Sequence, residues 1–203
     1  MQPLGGYANK KTMPTMFESV IKHYPDFPKA GIDFIDVLPF LQDKAAFQGA
    51  VAELDRLCAA PNVATVEARG FLFAAPLLAT GSRVQTIVPI RKKGKLPFAD
   101  GDLVKVEIEK EYGSDEVFFR RSDLAACPCA PDGTIELTLL DDLLATGGTA
   151  IGIANALNAQ IVDGHPVRVC QFLFLVELPA LGGRALLEPL APVHTLMSLE
   201  GVE

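Results

Sequence analysis

No run of apolar residues in this 203-residue chain is long enough to cross a membrane. The longest, Phe71 to Ala79 and Phe172 to Val176, fall far short of the roughly 18–20 residues that a span requires. Positive charge is scarce as well: 18 Lys and Arg face 25 Asp and Glu, for a formal net charge of −7. A nucleic-acid binder shows the opposite balance, because neutralising phosphates supplies most of its affinity. Neither a membrane nor nucleic acid is therefore expected as a partner. The opening residues lack the charged-then-apolar order of a secretory leader. Cysteine is limited to Cys58, Cys127, Cys129 and Cys170. The Cys127-Pro128-Cys129 spacing is too tight for paired zinc ligands, and no Cys or His pair lies close enough in sequence to complete a site. Reduced thiols and a cytoplasmic location are the expectation. The 17 Gly and 15 Pro residues are near ordinary usage and no internal repeat is present, which excludes fibrous and low-complexity classes. The dinucleotide-binding glycine pattern and the nucleotide P-loop are missing too.

What remains is a chain 49% apolar and 21% charged, the balance of one globular domain spanning 1–203. Residues 1–12 read as a loose polar arm. Met16 to His23 has room for a short helix, ended by Tyr24-Pro25 because the residue before proline leaves the helical region. Asp43 to Leu57 places Ala46, Phe47, Ala50, Val51 and Leu54 at helical spacing behind an Asp43 cap. Strands are expected at Ala64 to Val66, Val84 to Ile90, Ile135 to Leu140, Val167 to Val176 and Val193 to Leu199. Helices alternate with them at Gly70 to Ala79, Thr149 to Ile161 and Leu181 to Leu187. Val104 to Glu109 and Val117 to Arg121 read as the arms of an antiparallel hairpin. Strand–helix alternation implies parallel pairing with helices on both faces, an α/β fold.

The chemistry is concentrated in Leu139-Leu140-Asp141-Asp142-Leu143-Leu144-Ala145-Thr146-Gly147-Gly148-Thr149. An apolar strand ends in two adjacent carboxylates, and a short loop of small residues then opens into a helix. Ligands of open α/β sheets bind beyond the carboxyl ends of the strands. The start of a helix offers unpaired N–H groups and the positive end of a dipole, which suits a phosphate. A phosphate cradle alone would have no use for two acids, which repel an anion. Vicinal hydroxyls, however, need acceptors, and a carboxylate pair supplies them directly or through Mg²⁺. An acid pair followed by a phosphate nest is what a ribose 5-phosphate requires. The positive charge of this acidic chain gathers in Arg91-Lys92-Lys93-Gly94-Lys95, at the end of a strand.

The acid-pair segment closely resembles the phosphoribosyl diphosphate-binding signature of type I phosphoribosyltransferases. Further stretches, in the family's order, resemble its adenine-specific branch: Pro25-Asp26-Phe27-Pro28 with Gly31, Phe34 and Asp36; Glu67-Ala68-Arg69-Gly70-Phe71; Arg91 to Pro97; Glu111-Tyr112-Gly113; and Val176-Glu177-Leu178 with Gly182-Gly183-Arg184. The resemblance implies a type I phosphoribosyltransferase fold: a central parallel sheet flanked by helices, a flexible hairpin flap over 94–117 and a small N-terminal hood over 13–40. It implies transfer of phosphoribosyl to adenine, giving AMP and pyrophosphate in purine salvage, with Mg²⁺ as cofactor and a homodimer as the assembly. Asp141 and Asp142 would hold the ribose hydroxyls and Mg²⁺. Ala145, Thr146, Gly147, Gly148 and Thr149 would bind the 5-phosphate. Arg69, Arg91 and Lys95 would face pyrophosphate, beside a Glu67–Ala68 peptide that is cis. Asp33, Phe34 and Ile35 would hold the base, with Phe34 stacking, and Glu111 would handle the purine proton.

Asp33 and Ile35 stand where the family commonly has an apolar and a basic residue, and Phe98 stands where it usually has glycine. A transferase for hypoxanthine, guanine or xanthine in the same fold is therefore the alternative, since a few buried polar contacts separate amino- from oxo-purines. A non-catalytic sensor of phosphoribosyl diphosphate is the third reading. It would need a DNA-binding domain or basic face that this chain lacks.

Overall fold

The structure, a computed structural model, describes residues 17–109 and 114–200. The predicted arm at 1–12, Met16, and the Glu111-Tyr112-Gly113 stretch lie outside the described residues.

The strands are β1 (Lys22–Pro25), β2 (Asp33–Asp36), β3 (Asn62–Val66), β4 (Thr86–Lys92), β5 (Leu103–Glu109), β6 (Ser114–Arg120), β7 (Ile135–Leu144), β8 (Ile161–Val162), β9 (His165–Glu177) and β10 (Val193–Ser198). The helices are α1 (Lys44–Leu57), α2 (Arg69–Thr80), α3 (Arg121–Ala125), α4 (Gly148–Asn158) and α5 (Gly183–Leu187). The main sheet has the order β10-β9-β7-β3-β4-β6-β5, with β8 beside β9. Neighbours from β10 to β4 pair in parallel, whereas β6 pairs antiparallel with both β4 and β5.

Buried parallel strands have to be apolar on both faces. Along β3, β7 and β9, Ala64, Leu139, Phe172 and Phe174 enter one core, which includes Ile153 and Leu157 of α4. Val63, Leu140, Leu173 and Leu175 enter the other, with Leu54 of α1 and Phe73 and Leu77 of α2. The α1 register predicted from apolar spacing holds, and Asp43 caps the helix by accepting the Ala46 N–H at 3.0 Å. The strands of the hairpin reach the first core as well: Val106, Ile108, Val117 and Phe119 belong to it. Ile108 packs over Gly152 of α4, where even a Cβ would make only an ordinary contact, 3.7 Å from Ile108 Cγ1.

The expected helix over Met16 to His23 is not formed in its described part. Glu18–Val20 is a single 3₁₀ turn, and Lys22–Pro25 is strand β1. That strand is exposed throughout and is held by its antiparallel ladder to β2, in which His23 faces Ile35 and Tyr24 faces Phe34. Strand β7 runs four residues beyond its expected end, through the acid pair to Leu144, because β9 continues beside it to Glu177. The helix expected at Leu181 to Leu187 is broken at Gly182, whose φ of 71° separates a 3₁₀ turn from α5.

A buried polar belt crosses the amino-terminal side of the sheet. Asn62 donates to the carbonyls of Pro128 (3.0 Å) and Glu136 (2.9 Å) and accepts from the Thr86 hydroxyl at 2.7 Å. Gln171 accepts from Ala59 N–H and the Thr138 hydroxyl at 2.8 and 2.9 Å, and donates to the Leu57 carbonyl at 2.8 Å. This belt accounts for Thr138 of β7 and ties the Cys127-Pro128-Cys129 connection to the sheet, while the Glu136 side chain pairs with Arg168. Replacing Gln171 with leucine strands the Ala59 N–H and the Leu57 carbonyl. The expected cost is about 3 kcal/mol of unfolding free energy by urea titration, with kcat little changed because the belt lies on the opposite side of the sheet from the site described next. A loss below about 1 kcal/mol would show that the belt is dispensable.

Candidate active site

The chain reverses direction across the sheet between β3 and β7: α2 carries it from β3 outward to β4, whereas α4 carries it from β7 to β9 on the other side. Such a reversal opens a crevice at the carboxyl ends of the two central strands. The segment after β3 supplies Glu67, Ala68, Arg69 and Gly70, and the end of β7 supplies Asp141 and Asp142. The Glu67–Ala68 peptide is cis.

Each acid meets one residue of the first turn of α2. Arg69 Nε lies 2.8 Å from Asp142 Oδ2. Gly70 backs directly onto Asp141: a Cβ there would sit 3.0 Å from Asp141 Oδ1 and 2.6 Å from Thr65 Oγ1. Asp141 Oδ1 also accepts the Asp142 N–H at 2.9 Å. Asp142 is 4% exposed. Burial pushes the Asp141 carboxyl well above the ordinary carboxylate range, and the Asp142 charge adds to the effect. Burial pushes Asp142 up as well, while the Arg69 guanidinium draws it back.

Arg69 also reaches the small N-terminal lobe. Its Nη1 donates to the Ile35 carbonyl at 3.2 Å, and its Cζ lies 5.4 Å from the centre of the Phe34 ring, within cation–π range. Phe34 packs edge-on against Phe27, centroids 5.3 Å apart. Ile35 itself is buried in the core, so only its main chain is available there. Asp33 Oδ2 lies 2.8 Å from His23 Nδ1. One guanidinium thus joins the acid pair to the aromatic ring.

Directly after β7, residues 145–149 line a recess of about 110 Å³ together with Asp141. Gly147, at φ 80°, is the N-cap of α4 and no side chain caps the helix. The first N–H groups of α4 are therefore left for a ligand, at the positive end of the helix dipole.

The basic stretch is partly engaged within the protein. Arg91 Nε lies 2.7 Å from Glu67 Oε2, and Glu67 Oε1 accepts the Lys92 N–H at 2.8 Å. Burial would push the Glu67 carboxyl up, but the Lys92 N–H and the Arg91 guanidinium outweigh it and hold the group below its usual range. Lys93 pairs with Glu116 at 3.3 Å. Lys105 lies 2.6 Å from both Glu107 and Glu116, which push its pKa up to about 12. Among the described residues, the Lys92 and Lys95 ammonium groups have no ion-pair partner. Of the residues singled out in the sequence, Arg69, Asp141, Asp142, Phe34 and Ile35 are brought together and the 145–149 loop adjoins them. Arg91 is linked through Glu67, and Lys95 stands apart on the exposed loop. Glu111 lies outside the described residues. Glu67 belongs to the same loop as Arg69, but its pairing with Arg91 is not visible in the sequence.

No family model matches the sequence. The chain is 39% identical over 190 residues to the adenine phosphoribosyltransferase of Rhizobium meliloti, covering 90% of this chain and 94% of that protein. The crystal structure of adenine phosphoribosyltransferase from Thermoanaerobacter pseudethanolicus superposes with a TM-score of 0.73 at 34% identity, covering 90% of this chain and 98% of the other. The Saccharomyces cerevisiae enzyme, solved with D-2,5-dideoxy-2,5-imino-altritol 1,6-bisphosphate and adenine, gives a TM-score of 0.68 at 32% identity, covering 89% and 96%.

Proposed function

The chain belongs to the adenine phosphoribosyltransferase family, and on that premise we propose that it joins adenine to phosphoribosyl diphosphate, forming AMP and releasing pyrophosphate. The observation that carries the reading is the contact of one arginine with both halves of the crevice: Arg69 binds Asp142 on the ribose side and covers Phe34 on the base side.

In this reading Asp141 and Asp142 accept the ribose hydroxyls, and the N–H groups and hydroxyls of 145–149 hold the 5-phosphate. Phe34 stacks on adenine while main-chain groups at Asp33 and Ile35 read its edge. Arg91, Lys95 and Arg69 draw charge toward the departing pyrophosphate, and Glu67 fixes the direction of Arg91. Holding base nitrogen and C1′ in line converts the transfer into a positioned displacement. Glu111 exchanges the purine proton, and closure of the 94–117 hairpin excludes water from the cationic sugar.

No group of three or more His, Cys, Asp or Glu able to hold a metal ion forms among the described residues. The acid pair suits Mg²⁺ only when substrate oxygens and water complete its shell, the usual habit of this ion. Bound through Asp141 and Asp142 in that way, Mg²⁺ would neutralise charge on the diphosphate leaving group. A homodimer in the cytoplasm is part of the same proposal.

The test is pyrophosphate release by purified protein with phosphoribosyl diphosphate and Mg²⁺, offered adenine, hypoxanthine, guanine and xanthine in parallel. Release with adenine alone is expected. Release only with an oxo-purine would overturn the base assignment, and silence with all four the reaction itself.

A further inference from the structure

Behind the 145–149 loop, two stretches of backbone meet with no side chain between them. Gly183, the first residue of α5, lies so close that a Cβ there would come within 2.2 Å of the Ala145 carbonyl, 3.0 Å of the Gly147 nitrogen and 2.8 Å of Leu144 Cδ1. The contact is reciprocal, since a Cβ on Gly147 would lie 3.0 Å from the Gly183 carbonyl. Two of the three obstacles at Gly183 are main chain and cannot rotate away.

The next residue fixes where Gly183 stands. Arg184 Nε donates to both oxygens of Glu177, at 2.9 and 3.1 Å, and its Nη1 donates to the Val193 carbonyl at 2.8 Å. Glu177 is 4% exposed and ends β9 in register with Leu144 of β7, whose carbonyl accepts the Leu178 N–H at 2.9 Å. A forked, largely buried ion pair of this kind holds direction as well as distance. It pins α5 to the last residue of β9 and the first residue of β10 and holds Gly183 against the loop.

We infer that Gly183, held by the Arg184–Glu177 pair, is a positioning residue that sets the shape of the 145–149 loop and hence the affinity for the 5-phosphate of phosphoribosyl diphosphate. The inference rests on the reading of 145–149 as the phosphate loop. It assigns a role in ground-state binding of one substrate, separate from the base site.

Steady-state kinetics with both substrates varied provide the test, on Gly183→Ala, Arg184→Lys and Thr149→Ala. Gly183→Ala is expected to raise KM for phosphoribosyl diphosphate about tenfold, since displacements on the order of 1 Å are costly in positioned sites. KM for adenine should stay within about twofold, a split that general loosening of the fold would not produce. A phosphoribosyl diphosphate KM unchanged in Gly183→Ala, while Thr149→Ala raises it, overturns the inference and leaves the phosphate-loop reading intact. An unchanged value in both variants overturns the loop reading and the inference with it. Where Gly183→Ala fails to fold, Arg184→Lys decides. The lysine keeps the charge but loses the fork, so a selective rise of about threefold supports the role and an unchanged KM overturns it.

Discussion

Replacing Arg69 with methionine is expected to lower kcat/KM for adenine by about 10²- to 10³-fold, the scale seen when a preorganised charge is removed from a reacting site. The side chain has three partners: Asp142 at 2.8 Å, the Ile35 carbonyl at 3.2 Å and the Phe34 ring at 5.4 Å. Methionine keeps much of the packing and removes all three polar contacts. Asp142 then remains buried with no cation beside it, and burial is the influence that already pushes its carboxyl upward. A buried carboxylate stripped of its partner costs several kcal/mol, and Arg69 is partly exposed, so about 2 kcal/mol of stability should go with the activity. Arg69→Lys separates the effects. It restores charge near Asp142 but cannot reach the Ile35 carbonyl with a second nitrogen, and intermediate activity is expected. Kinetics and urea titration on the two variants check this, and a methionine variant within about threefold of the parent would remove Arg69 from the mechanism.

The second large effect is expected at Gly70, where one methyl group has nowhere to go. A Cβ would meet Thr65 Oγ1 at 2.6 Å, Asp141 Oδ1 at 3.0 Å and the Leu140 carbonyl at 3.4 Å. Thr65 is wholly buried in β3, so α2 or Asp141 has to move. Gly70→Ala should lose about 2–3 kcal/mol of stability by overpacking and about 100-fold in kcat/KM as Asp141 shifts. The Thr65 hydroxyl has no hydrogen-bond partner among the described residues. Thr65→Ala therefore breaks no hydrogen bond and removes the closest obstacle. The double variant should recover more than 1 kcal/mol relative to Gly70→Ala, a non-additivity expected only of touching residues. Additive losses would mean that the strain arises elsewhere.

The residues whose partners are near in sequence, or whose chemistry is unusual, were legible before the fold. Asp43 capping α1 and the acid pair running into a glycine turn and a helix belong to short segments with their own logic, whereas the cis peptide at Glu67 came only with the family resemblance. The helix α3 was not visible, and the reason is physical: its first turn is held by Asp102, whose side chain accepts from both the N–H and the hydroxyl of Ser122, twenty residues away. The polar side chains of β7 and β9 have partners in other elements, such as the carbonyl of Leu57 for Gln171, so no local pattern announces their role. Strand β1 offered no apolar pattern at all, since it is exposed and exists through its ladder with β2. Arg91 was correctly placed at the end of a strand, but its charge partner Glu67 sits on the neighbouring strand's exit, where no local pattern points to it.

The junction between β4 and the hairpin has a mechanical meaning. Only two residue pairs join them, Arg91 with Phe118 and Lys92 with Val117, and those β4 residues are the first two cations of the basic stretch. The seam between hairpin and parallel sheet thus runs through the residues that carry that charge. A substitution that displaces β6 at Val117 or Phe118 is therefore felt first at the backbone of Arg91 and Lys92, and the seating of the hairpin and the aim of these two charges are set by the same pairings.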